Sequence, residues 1–133
     1  METVLVVGAT GNIGAAAIIG ALRSGRKVLA VVRNQDSAAK LFRNIGTEEG
    51  ITTVQADVTS ETGVQSVVDQ VKARKLPAFQ HVYCAAGGSY SGTPLLELST
   101  EELREGMNVN FESNFCKHPC PLYQDNTHDT DLH

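Results

Sequence analysis

The segment Gly8-Ala9-Thr10-Gly11-Asn12-Ile13-Gly14 follows directly on the apolar run Val4-Leu5-Val6-Val7 and leads into an Ala- and Ile-rich stretch. This junction limits the possible folds more than any other feature of the chain. Consecutive aliphatic residues without alternation suit a strand covered on both faces, as in a parallel sheet. The glycines permit a tight turn, close approach of backbone to a ligand, and close helix–strand contact. The helix start beyond them offers N–H groups and a partial positive charge, which suit a pyrophosphate. A glycine trio alone is a weak signal. Between a buried strand and a helix it meets the contextual condition for a dinucleotide-binding turn, the simpler alternative being a turn that binds nothing.

Downstream, the apolar period alternates between strand and helix. Residues 12–24 read as a helix, with Gly25 where a C′ glycine would end it. Residues 27–32 (KVLAVV) form a second buried-strand run. Ala38, Leu41, Phe42 and Ile45 then recur at i, i+3, i+4 and i+7, one stripe of a helix. Residues 46–50 break it, and 51–56 read as a third strand. Val64, Val67, Val68 and Val71 repeat the helical stripe, with Ser60 as the expected N-cap and Pro77 as the expected stop. Residues 81–85 make a fourth strand. After a loop with Gly87, Gly88, Gly92 and Pro94, Ser99-Thr100-Glu101-Glu102 is a capping box opening a helix with Leu103, Met107 and Phe111 on one side. The alternation predicts an α/β fold: a doubly wound parallel sheet, incomplete, of about four strands with flanking helices.

From Cys116 onward no period survives. Residues 116–133 hold two of the three Cys, three of the four His and two of the four Pro. We read 1–115 as the folded domain and 116–133 as an aberrant C-terminus, from a frameshift, retained intron or alternative exon, or else as a disordered tail. A zinc site at Cys116, His118, Cys120 and His128 has spacing that matches no common structural pattern, so no metal is expected.

Composition excludes several classes. Eleven Lys and Arg against fifteen Asp and Glu give a charge of −4, without the basic excess of a nucleic-acid binder. No apolar run approaches the ~18 residues that span a bilayer. The chain enters its first strand after Met1-Glu2-Thr3, which leaves no room for a signal peptide. An odd count of three Cys favours thiols over a disulfide framework. These features predict a cytoplasmic protein with no nucleic-acid or membrane partner.

Arg33 ends the second strand, nineteen residues past Gly14. An acidic residue there would hold an adenosine ribose 2′-hydroxyl, whereas arginine suits a 2′-phosphate. The cofactor expected is therefore NADP(H), ahead of NAD. A solvated surface arginine is the alternative. Asp36 reads as a helix cap rather than a ribose ligand.

Together, four elements resemble the N-terminal part of a short-chain dehydrogenase/reductase. They are Gly8 through Gly14, Asp57-Val58 after the third strand, Cys84-Ala85-Ala86-Gly87 after the fourth, and Asn108-Val109-Asn110-Phe111 in the next helix. The resemblance implies a Rossmann-like fold, truncated at its C-terminal side. It implies that Gly8, Thr10, Gly11, Asn12, Ile13 and Gly14 bind the pyrophosphate region and that Asp57, with Val58 beside it, binds the adenine. Ala85, Ala86 and Gly87 would pass under the cofactor ribose. Cys84-Ala85 replaces the family's usual asparagine pair, and Cys84 reads otherwise as a small buried apolar residue. Asn110 matches the catalytic-site asparagine, whose helix distorts to hold a water in a proton relay. The alternatives are a helix cap for Asp57 and an ordinary helix-interior residue for Asn110.

The family's reaction is hydride transfer between a nicotinamide and a carbonyl or alcohol. It uses a serine, a tyrosine and a lysine four residues after that tyrosine. A phenol of pKa near 10 is a poor acid–base group at neutral pH without such a lysine. The only tyrosine after Asn110 is Tyr123, and Thr127 stands four residues on. The expectation is an NADP(H)-binding fragment with no turnover of its own. The alternative is a non-catalytic NADP(H)-sensing or partner-binding module, with a homologous subunit meeting the exposed edge strand and the last helix.

Overall fold

Strand β1 (Thr3–Val7) lies inside a parallel sheet of order β3-β2-β1-β4. The others are β2 (Lys27–Val32), β3 (Ile51–Gln55) and β4 (His81–Cys84). The computed structural model describes residues 1–60, 62–88 and 92–112. The expected doubly wound α/β fold, with four parallel strands, is present. Leu5 pairs with Leu29 on one side and Val82 on the other, and Leu29 pairs in turn with Thr52.

Covering both faces explains the unbroken apolar runs. Val6, Val28, Ala30 and Val32 point to one side and pack with Ile18 of α1 (Asn12–Arg23) and with Ala38 and Leu41 of α2 (Gln35–Ile45). Leu5, Val7, Leu29 and Val31 point to the other, where Val67 of α3 (Gly63–Lys72) and Phe79 meet them. With an apolar layer on each side, the period of two vanishes from the sequence. Removing a fully buried member such as Leu41 from a core of this kind costs about 2–5 kcal/mol.

Helix ends depart from expectation in three places. Asn34, not Asp36, caps α2: its Oδ1 accepts the Ser37 N–H at 2.8 Å, and Asp36 lies inside the first turn. Thr62, not Ser60, is the N-cap of α3 and makes no side-chain cap bond. Ser60 Oγ instead accepts the Thr62 N–H at 3.3 Å. The third helix ends at Lys72, before Pro77, because Arg74 turns into the left-handed region at φ 57°. Gly46, at φ 82°, closes α2.

The capping box is formed as expected. Ser99 Oγ accepts the Glu102 N–H and Glu102 Oε2 accepts the Ser99 N–H, opening α4 (Thr100–Met107). A five-residue π-helical turn (Asn108–Glu112) follows. Cys84 is exposed, contrary to the reading of it as buried, because β4 ends the strand order and all its residues are exposed. The tail at 116–133, with its zinc reading, lies outside the described residues.

Candidate functional site

The strand order runs outward from β1 in opposite directions, to β2 and β3 on one side and β4 on the other. Such a reversal opens a crevice at the C-terminal ends of the two strands beside it. Gly8 leaves β1 at that point with φ 78°, a conformation that a side chain resists. Alongside it, Ala85 leaves β4, its N–H donating to the Val7 carbonyl at 2.8 Å. A Cβ on Gly8 would lie 2.5 Å from the Ala85 carbonyl carbon and from the Ala86 nitrogen. The glycine turn and the Ala85–Ala86 backbone are therefore in contact.

Gly14 is needed for a different contact. A Cβ there would overlap the Gly8 carbonyl oxygen, so α1 starts pressed on the turn. Gly11 differs from both. Its hypothetical Cβ meets only Gly8 O at 3.7 Å, ordinary van der Waals contact. Gly11 is also the N-cap of α1, with no side-chain cap bond and no acidic residue in the first turn. Thr10, Asn12 and Ile13 complete the turn, and Ile13 is 67% exposed despite its apolar chain. An uncapped helix start with open space above its cap residue fits a phosphate group.

Arg33 and Asp57 follow the C-terminal ends of β2 and β3, which the Ala56 N–H joins to the Val32 carbonyl at 3.0 Å. Both side chains are exposed. Asp57 Oδ1 accepts the Thr59 hydroxyl at 2.6 Å and the Thr59 N–H at 2.9 Å. These bonds, the hydroxyl first, hold the carboxyl below the usual carboxylate range, and the positive charge of Arg33 adds to them against a small desolvation cost. Asp57 thus stabilises a turn rather than capping α3. Val58 is half-buried beside it, against the Val67 side of the core.

Asn110 sits in the π-helical turn, half-buried. Its Oδ1 accepts the Gly88 N–H at 2.9 Å, and its Nδ2 donates to the Gly106 carbonyl at 3.0 Å. The amide therefore bridges α4 to the segment Ala85-Ala86-Gly87-Gly88. At Gly87 a Cβ would lie 3.1 Å from Asn110 Oδ1, a tight approach that the amide would relieve by moving a few tenths of an ångström. These two bonds tie Asn110 both to α4 and to the segment after β4.

A family model described as short chain dehydrogenase matches residues 2–118. The chain belongs to the short-chain dehydrogenase family. It is 63% identical over 114 residues to the short-chain dehydrogenase/reductase iacG of Pestalotiopsis fici, covering 86% of this chain and 46% of that protein. Among solved structures, a short-chain type dehydrogenase/reductase from Mycobacterium ulcerans matches with TM-score 0.69 and 28% identity, over 84% of this chain and 42% of that one. ElxO with NADP bound matches with TM-score 0.74 and 25% identity, over 86% and 47%. The chain spans about half the length of the relatives it matches.

Three contacts around these residues are not part of the motifs read from the sequence. Gly88 pairs with Asn110 across twenty-two positions, and nothing local signals it. Thr59 binds the Asp57 carboxylate, for which a hydroxyl at i+2 is a recognisable turn signal. Gly63 is buried at the first position of α3, where a Cβ would overlap the Asp57 carbonyl oxygen. Its signal is a glycine opening a helix, where most other residues would fit the helix better. Among the described residues there is no group of three His, Cys, Asp or Glu able to hold a metal, and no helix long and apolar enough to cross a membrane.

Proposed function

We propose that this segment is the NADP(H)-binding half of a short-chain dehydrogenase/reductase. Gly8 through Gly14 would hold the pyrophosphate, Arg33 the 2′-phosphate, Asp57 and Val58 the adenine, and Ala85, Ala86 and Gly87 the ribose. The observation that carries the reading is the open, uncapped start of α1 at Gly11, set on the Gly8–Ala85 contact at the strand-order reversal. Arg33 beside Asp57 supports the phosphorylated dinucleotide over NAD, because a guanidinium binds phosphate oxygens through paired N–H groups.

When bound, the nicotinamide supplies or accepts a hydride, the partner being a carbonyl or alcohol carbon. Asn110 acts on the protein side, fixing the Ala85–Gly88 segment to α4 beneath the cofactor. None of the three tyrosines, Tyr83, Tyr90 and Tyr123, is followed by a lysine four residues on. The 133 residues are therefore expected to bind nucleotide without turnover of their own. A non-catalytic sensing module is the second reading. It is favoured by Leu103, Met107 and Phe111, which are 54%, 49% and 58% exposed and offer a homologous subunit apolar surface on α4 and the turn after it.

Calorimetric titration of the chain with NADPH and NADH tests the binding reading. NADPH should bind at least about tenfold more tightly, and Arg33→Ala should remove that preference, as expected for a lost charge-assisted contact. Absence of binding to either nucleotide overturns the reading.

A further inference from the structure

The adenine side of the site is braced by residues outside every motif described above. The Asp57 carbonyl accepts the Ser60 N–H at 3.2 Å, and its carboxylate accepts the Thr59 hydroxyl and N–H. Both Thr59 bonds go to Oδ1, so among the described residues Oδ2 keeps its lone pairs for a further donor. The same Asp57 carbonyl lies under the first residue of α3. There the backbone of Gly63 comes so close that a methyl group could not be inserted without moving one of them. Gly63 is buried, its N–H donates to the Ser60 carbonyl at 3.2 Å, and its own carbonyl accepts the Ser66 hydroxyl at 2.9 Å. Neither neighbour can yield cheaply, because the contact is backbone on backbone and α3 is fixed to the sheet through Val67.

Building on the NADP(H)-binding reading, we propose that Gly63 and Thr59 are positioning residues for the nucleotide. The missing side chain of Gly63 lets α3 seat the Asp57 carbonyl, and Thr59 fixes Oδ1, so that Oδ2 faces the exocyclic amine of adenine. The two residues act only through Asp57. Their effect should therefore depend on that amine and vanish when the carboxylate is removed.

The test is calorimetric titration of the 133-residue chain with NADPH and with nicotinamide hypoxanthine dinucleotide phosphate, whose base has a carbonyl in place of the amine. Gly63→Ala should weaken NADPH binding roughly tenfold and Thr59→Val about threefold, the scale of one misaligned charge-assisted hydrogen bond. Neither should change binding of the hypoxanthine analogue comparably, and Gly63→Ala should add nothing in an Asp57→Ala background. Gly20→Ala, at a helical glycine with no neighbour within 4 Å of its Cβ position, should leave both affinities unchanged. Equal penalties for the two nucleotides, or additive penalties in the double variant, overturn the proposal in favour of general loosening. So does unchanged NADPH affinity in the folded variants. If circular dichroism shows Gly63→Ala unfolded, Thr59→Val, at an exposed side chain, decides by the same comparison. A wild-type chain that binds neither nucleotide overturns the NADP(H) reading and this proposal with it, whereas a binding wild type with indifferent variants overturns only this one.

Discussion

At the scale of single residues, two glycines of one turn are small for different reasons, and this difference is measurable. Gly14 is held by protein, since a Cβ would overlap the Gly8 carbonyl. Gly14→Ala should therefore destabilise the fold by about 2–3 kcal/mol in urea unfolding, the range for steric insertion into packed structure. Gly11 has open space, so Gly11→Ala should hold stability within about 0.5 kcal/mol while weakening NADPH binding at least tenfold. Equal stability losses at both positions would show that packing alone requires the two glycines. Asp57 gives a second measurement. Its pKa is depressed, so the stability it contributes is present above the unfolded value of 3.8 and is lost as pH falls through the lower folded value. Carboxyl NMR should place its midpoint below 3.8, and Thr59→Val should move it back upward by removing the hydroxyl bond. That the glycine turn, Arg33 and Asp57 stand at strand ends was legible, because each lies within a few positions of an apolar strand run. Gly63 was not, because its reason is a carbonyl six residues back that only the approach of α3 brings underneath.

At the scale of elements, periodicity located every strand and helix among the described residues, and errors gathered at the ends. Strand cores such as 28–32 are set by burial on both faces, which leaves a strong apolar signal. A cap is set by which of several polar residues first leaves the helical conformation, and Asn34, Asp36, Ser60 and Thr62 all have suitable side chains. The π-helical turn has a readable cause only once the contacts are known. Asn110 Nδ2 donates to the Gly106 carbonyl four residues back, the acceptor its own backbone N–H would use in an α-helix, and the helix widens there. The other side of the amide fixes the Gly88 N–H. Asn110→Ala should free both groups. Stability should fall by about 1 kcal/mol, the net worth of such bonds, and hydrogen exchange at the Gly88 amide should quicken selectively. Exchange that quickens equally across α1 and α2 would instead mean global loosening.

At the scale of the whole molecule, burial is lopsided. Around β1 and β2 the sheet is covered on both faces, with Leu29, Val6 and Ala30 wholly buried. On the β4 side, Val82 and Tyr83 are 38% and 43% exposed, and Leu95, Leu96, Leu103, Met107 and Phe111 more so. Exposed apolar residues are ordinary singly, but this many on β4, α4, the loop between them and the π-helical turn favour association. The glycine turn and Arg33 stand on other elements, so association through α4 need not block the nucleotide. The chain should therefore sediment as a mixture whose mean mass rises with concentration. Leu103→Glu combined with Met107→Lys should keep it monomeric, with NADPH affinity unchanged, because neither side chain belongs to the proposed nucleotide contacts. A wild-type chain that remains monomeric at every workable concentration would mean that the face is tolerated in water. The sensing-module reading would then lose the surface on which its partner depends, and nucleotide binding would stand as the segment's one supported role.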